Sequence, residues 1–346
     1  MVMADEKTPG PDGTDATGLE APIARGVELA KQLTNARSNQ LDPAGFARIA
    51  RSLAQELGMG VRVTEAAELA EQGFGGIVAT GSGSSRPPAL VELWFGGDST
   101  PEQPPHGAIA LAGKGITFDS GGLSLKSPTA MYTMHTDCAG AAAVLGAMVA
   151  LAQLGCETPV YAALPLAENI PGPDSVRPGD VVSMRGGVGL EIVDTDFEGR
   201  VVLADAVSLL QESQPRAIVS MATLTYQAMI ALGPEIGALL GRDDELVRRM
   251  LSAAEQADEA LWQLPWAERY ADQIKSNAPG ASYRNHPRAD TGRAITAALM
   301  IGAFAEPGTP FAHVDFAGPA VERVDGGAEA TGYGVAMLVE LVRAWR

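Results

Sequence analysis

Strand-length apolar runs alternate with segments of helical period along most of this chain, and that alternation constrains the fold more than any other feature. Strands are expected at Gly60–Thr64, Ile77–Thr80, Ala89–Phe95, Ala108–Gly113, Thr158–Pro165, Ala217–Met221 and Phe311–Phe316. Helices are expected at Ala21–Arg37, Ala66–Gln72, Cys138–Leu154, Gly199–Gln211, Asp243–Ala257, Ala294–Phe304 and Thr331–Trp345. A further helix opens at Asp42, an N-cap candidate followed by Pro43, and runs to about Leu57. The pattern predicts one α/β domain over residues 21–346, with a central mixed, largely parallel sheet flanked by helices. No internal repeat interrupts it, and GSGSSRPP reads as a turn, because it lacks the Lys-Ser/Thr of a phosphate loop.

Composition narrows the function classes. The 346 residues are 46% apolar, enough for a large core. No apolar run approaches the roughly 18–20 residues of a membrane helix. Residues 1–20 are acidic and rich in Pro and Gly, without the features of a secretory leader, and are expected to form a disordered tail. Two cysteines, Cys138 and Cys156, make no disulfide framework and point to a cytoplasmic protein. A net charge of −17 argues against nucleic acid and anionic membrane as partners.

Two segments carry the chemistry. In Ala108–Gly140 an apolar strand runs into Lys114, followed by Asp119 in a Gly-rich turn, Lys126, and Asp137 just before a helix. Sites in open α/β sheets gather beyond the carboxyl ends of strands. The second segment is DTDFEGR, Asp194–Arg200. Read as extended, it puts Asp194, Asp196, Glu198 and Arg200 on one side and turns Phe197 away. An apolar helix follows at once, so Arg200 stands at a helix N-terminus that favours an anion. Four carboxylates, Asp119, Asp137, Asp196 and Glu198, would then share one cleft. Unpaired, their burial would cost more than a fold can supply, and two divalent cations would balance them. Oxygen ligands with one nitrogen suit Zn, Mn, Mg or Co, and a buried lysine beside such cations can ligate as a neutral amine.

GKGITFDSGGLSLK, the Asp137 segment and DTDFEGRVVLADA resemble the leucine (cytosol) aminopeptidase family of dinuclear metallopeptidases. ENIPGPDSVRPGD, MATLT, AITAAL, FAHVDFAGPA and EATGYGV resemble family segments in the same order, over roughly residues 21 to 346. The resemblance implies that Asp119 and Glu198 bridge two metal ions, Mn or Zn foremost. Lys114 and Asp137 would complete the tight site and Asp196 the exchangeable one. It implies that Lys126 stabilises the tetrahedral intermediate. Arg200, helped by the Leu224 backbone, would hold a bicarbonate that acts as general base towards a metal-bridging water. Met134, Thr223 and Tyr226 would border the substrate pocket. The expected substrate is a peptide with a free N-terminus, and the expected assembly a homohexamer.

The chain departs from the family pattern. It has Asp194 where Asn is usual, Phe197 where Ala is usual, Tyr226 where Gly is usual, and Ala139 where Gly is frequent. It begins close to the catalytic domain, where relatives commonly carry an N-terminal domain first. These departures leave room for an enzyme dedicated to trimming one natural-product precursor peptide, and for a non-catalytic scaffold of the same fold. The histidines stay outside the ligand set. His135 neighbours Asp137 but is read as a non-ligand, His313 as a satisfied core or interface histidine, and His106 and His286 as loop residues. Cys138 reads as a small buried thiol.

Overall fold

A computed structural model describes residues 16–324 and 327–345. Its main sheet has nine strands. Eight follow the spatial order Gly60–Glu65, Ala89–Phe95, Val160–Asn169, Ile109–Gly113, Ala217–Ala222, Phe311–Asp315, Gly237–Gly241 and Leu261–Gln263. The ninth, Gly115–Asp119, pairs parallel with the far end of Val160–Asn169. The four central strands, Val160–Asn169 to Phe311–Asp315, run parallel to one another. Antiparallel pairs flank them on both sides, at Ala89–Phe95 and at Gly237–Gly241. The sheet is mixed with a parallel centre, as the strand–helix alternation predicts.

Helices cover both faces and split the core in two. One face packs under Ala16–Asn35, Pro43–Leu57, Ala139–Gln153, Asp244–Gln256 and Val335–Arg343. The other packs under Gly75–Gly81, Glu198–Gln211 and Arg293–Gly302. Central strands buried on both faces need unbroken apolar sequence, and Ile109–Gly113 and Ala217–Ala222 are buried at every position. Asp42 caps its helix as expected, accepting from the Gly45 amide at 2.7 Å, with Pro43 in the first turn.

Four expectations change. Ile77–Thr80 is not a strand but part of the helix Gly75–Gly81. A short apolar run is ambiguous by periodicity, and here the Asp205 carboxylate accepts from the Ile77 amide at 3.0 Å in the helix's first turn. The first helix starts at Ala16, so it takes in residues 16–20 of the expected tail; residues 1–15 lie outside the described residues. The closing helix begins at Val335 rather than Thr331. Finally, one helical stretch, Met134–Gln153, is long and apolar enough to cross a membrane, because a 3₁₀ turn at Met134–Cys138 leads into Ala139–Gln153. It is 94% buried between sheet and outer helices, where a helix apolar on all sides belongs.

Candidate metal centre

The parallel strands all deliver their carboxyl ends to one edge of the sheet. Lys114 follows Gly113, Asp119 ends its own strand, Asn169 ends the longest one, and Thr223 and Leu224 follow Ala222. Asp137 is brought alongside by the 3₁₀ turn Met134–Cys138, and Glu198 opens the helix Glu198–Gln211. Lys126 reaches in from the loop after Asp119, whose turn is drawn tight by the Gly121 amide donating to Asp119 Oδ1 at 2.9 Å.

DTDFEGR is not extended. Asp194 alone is, and its side chain accepts from the Asp196 amide, starting a 3₁₀ turn at Thr195–Phe197 that runs into the helix. The alternate-residue rule therefore fails here. Asp196 and Glu198 still face the cluster, but Asp194 serves as a cap instead of facing it. Phe197, expected to turn away, lies under Arg200, whose Cζ is 4.4 Å from its ring centroid.

Lys114 Nζ lies 2.6 Å from Asp137 Oδ2 and 2.8 Å from Glu198 Oε1. Lys126 Nζ lies 2.8 Å from Asp119 Oδ2 and also meets Asp196 Oδ1. Oxygens of Asp119, Asp196 and Glu198 all fall within 4.8 Å of one another. Asn169 Nδ2 donates to Asp119 Oδ1 at 2.8 Å and to the Thr195 carbonyl at 2.9 Å, joining the two segments. Thr223 Oγ1 donates to Asp137 Oδ1 at 2.8 Å. A Cβ at Gly199 would sit 2.7 Å from Lys114 Nζ, so any side chain there would push the Lys114 ammonium from its place. The site is graded by depth: Lys114, Asp137 and Glu198 are buried, whereas Lys126 and Asp196 are partly open to solvent.

Electrostatics mark the cluster as crowded. Burial first, then the Asp119 and Glu198 charges, push the Asp137 carboxyl up to about 8 against the pull of Lys114. Burial and the same two neighbours push Asp196 up to about 7. Glu198 is raised by burial and by Asp119. Burial opposes the charge on Lys114, yet Asp137, Glu198 and Asp119 hold its ammonium above the ordinary lysine range. Asp137 Oδ2 meets Lys114 at ion-pair distance but, among the described residues, has no donor aligned for a hydrogen bond. Four carboxylates face two lysines, so without a cation the cluster balances its charge only by holding protons on Asp137 and Asp196. Its oxygen donors, close spacing and misaligned Asp137 oxygen fit divalent cations.

Beside the cluster lies Arg200, 2% exposed. Its Nη1 donates to the Asn285 carbonyl at 3.1 Å, and its Nε has no partner among the described residues. Burial lowers its pKa to about 10. The Leu224 amide, expected to help hold an anion, donates instead to Asp315 Oδ1 at 3.1 Å. Met134 and Thr223 are half-buried, whereas Tyr226 is 69% exposed at the start of the helix Tyr226–Leu232. His135 is no neighbour of the carboxylates' open side; its Nδ1 faces Arg37 Nη1 at 3.4 Å. His313 is only half satisfied, which corrects its expected role: Nδ1 meets Ser220 Oγ at 2.8 Å, but Nε2 has no partner among the described residues. Cys138 is buried, and burial pushes its thiol up to about 12, consistent with an inert side chain.

Sequence reasoning missed Asn169, Asn285 and Asp315. Asn169 was visible at the end of an apolar strand, the position where site residues gather. Asn285 and Asp315 act on neighbouring backbone, a role without a sequence signature.

The chain belongs to the cytosol aminopeptidase family, whose catalytic-domain pattern matches residues 28–339. It is 42% identical over 330 residues to the probable cytosol aminopeptidase of Roseiflexus castenholzii, covering 93% of this chain and 65% of the relative. The probable cytosol aminopeptidase of Syntrophotalea carbinolica is 42% identical over 324 residues, covering 92% and 63%. The chain thus spans somewhat less than two thirds of the length of these relatives. Among solved structures it resembles the bottromycin maturation enzyme BotP, with a TM-score of 0.85, 40% identity, and coverage of 94% of this chain and 70% of that one. BotP in complex with Mn gives a TM-score of 0.88 at 38% identity, covering 97% and 73%.

Proposed function

We propose that this protein is a two-metal aminopeptidase that removes the N-terminal residue of peptides. The observation that carries the reading is the convergence of Asp119, Asp137, Asp196 and Glu198 with Lys114 at the carboxyl edge of the sheet, where the acidic groups raise one another's pKa and a cation would relieve them. Asp119 and Glu198, central in the cluster, would bridge two ions. Lys114 and Asp137 would hold the buried one, and Asp196 the outer one. Bound there, divalent ions polarise a scissile carbonyl and acidify water. Lys126, partly open to solvent, would donate to the oxyanion that develops on that carbonyl, where stabilisation accelerates most. Arg200 offers unused donors to a small anion such as bicarbonate, which would accept the proton of the attacking water. Its second holder is not the Leu224 amide as it stands, since Asp315 occupies that donor.

Manganese is the first metal to test, because BotP has been solved with Mn. A second reading is favoured by the likeness to that maturation enzyme: a dedicated role in trimming one natural-product precursor peptide. The complete ligand set argues against a non-catalytic scaffold. We also infer a cytoplasmic homohexamer, with the assembly to be read by light scattering.

The test is reconstitution. Protein stripped by a chelator should lose activity and regain it with Mn or Zn. Lys126→Ala should lose roughly 10²–10³ in kcat while binding the same metal. Equal cleavage by stripped and loaded protein would end the reading, and an active Lys126→Ala variant would remove that lysine from its role. A peptide-library cleavage profile separates general from dedicated activity.

A further inference from the structure

Phe197 sits between two proposed metal ligands, yet the reading above gives it no work. We propose that Phe197 is a positioning residue that fixes the Arg200 guanidinium for anion binding. The inference rests on Arg200 as the anion-holding residue.

Arg200 is poorly fixed by polar contacts. Among the described residues it forms one side-chain hydrogen bond, to the Asn285 carbonyl, and no ion pair. A guanidinium has five donors in a fixed fork, and a single bond sets the direction of only one of them. The Phe197 ring supplies the missing restraint, with Arg200 Cζ at 4.4 Å over it. The contact engages the charge of the guanidinium and none of its N–H donors, and those are the groups that bind an oxyanion. The ring is itself held. His286 packs against it at 4.4 Å between centroids, tilted by 48°, and Arg293 lies over it at 5.4 Å while pairing with Asp290. The 3₁₀ turn at Thr195–Phe197 makes the arrangement possible, since it directs Phe197 towards Arg200 while Asp196 and Glu198 face the cluster.

The test uses metal-loaded full-length protein as wild type, Phe197→Ala, Phe197→Tyr, Arg200→Ala and the Phe197→Ala/Arg200→Ala double variant. Turnover is measured with and without added sodium bicarbonate, metal content by elemental analysis, and binding of ¹³C-bicarbonate by NMR line broadening. Phe197→Ala should lose roughly tenfold in kcat, with KM less affected, and weaken bicarbonate binding by a similar factor at unchanged metal content. Phe197→Tyr should restore both. In the Arg200→Ala background, Phe197→Ala should add nothing, because a residue acting through another is silent once that residue is gone. An equal loss in both backgrounds, or none in either while Arg200→Ala is impaired, overturns the proposal alone. Wild-type turnover and bicarbonate binding in Arg200→Ala would overturn the reading of Arg200, and this proposal with it. If Phe197→Ala does not fold, Phe197→Leu keeps apolar bulk without the aromatic face and decides the same question.

Discussion

One helix, Glu198–Gln211, buries carboxylates in two ways. Asp205 is fully buried and alone. It accepts from the Ile77 amide at 3.0 Å and the Arg185 amide at 2.9 Å, and burial pushes its carboxyl up to about 7. Backbone donors and the option of taking a proton make its burial tolerable. Two turns earlier, Glu198 sits among Asp119, Asp137 and Asp196 with two lysines between them. Most of that charge faces other charge rather than backbone amides. The first arrangement is complete without a ligand and holds the helix against Gly75–Gly81. The second stays crowded with like charge, and the proposed cations would relieve it. Buried carboxylates are therefore informative by their donors, not by their number.

The largest effect should come from the crowded end. Asp196→Asn should lower bound metal per chain and cut turnover by roughly 10²–10³. Metal-free Asp196→Asn protein should be no less stable than metal-free wild type, because one like charge has left the cluster. Elemental analysis and thermal unfolding after chelation read the two halves. A metal-free variant that melts well below wild type would show that the cluster balances itself, and the contrast with Asp205 would collapse. Asp205→Asn is expected to do the reverse. It should lose about 2–3 kcal/mol of stability in denaturant unfolding while keeping metal and turnover, since it sets an amide against backbone donors. Lost metal with intact stability there would break the comparison from the other side.

The layout of the sheet and the meeting of these lysines and carboxylates were legible in the sequence for a physical reason. Strands buried on both faces must be apolar throughout, so Lys114 and Asp119 stood out at the ends of such runs. The path between ligands was not legible. DTDFEGR was read with a period of two, but Asp194 accepts from the Asp196 amide and converts the segment to a 3₁₀ turn. That local bond moved Phe197 from an expected outward position to the underside of Arg200. Ile77–Thr80 failed for a related reason: the carboxylate in its helix's first turn comes from Asp205, far away in sequence. Side chains that satisfy distant backbone leave no period to read.

His313 shows a third way to bury an ionisable group, which is to leave it neutral. Burial and the nearby charge of Arg200 lower its pKa to about 3. The unfolded chain takes up a proton near pH 6.5 that the folded chain refuses until about pH 3. Its contribution is therefore complete above pH 6.5 and is lost progressively as the pH falls towards 3. Between pH 7 and pH 5 this residue alone should cost about 2 kcal/mol. His313→Gln, which keeps a partner for Ser220, should flatten that part of the stability profile in denaturant titrations. A variant that loses stability as steeply as wild type would assign the acid sensitivity to other groups.

The smallest effect on the fold should come from Tyr226, and that is what makes it useful. Its side chain is 69% exposed, and the helix it opens is capped by Thr225, whose hydroxyl accepts from the Ala228 amide at 3.2 Å. Tyr226→Gly, at the first position of this short helix, should therefore cost no more than about 1 kcal/mol. Thr223, three residues earlier, donates to Asp137, so the same loop connects this exposed ring to the cluster. Any change in cleavage must then arise from contact with substrate rather than from a disturbed fold. The expected outcome is a shift towards bulkier first residues in a peptide-library profile, with bound metal unchanged. Identical profiles for both proteins would leave the ring with no part in specificity and move the search for the pocket wall to Met134 and Thr223.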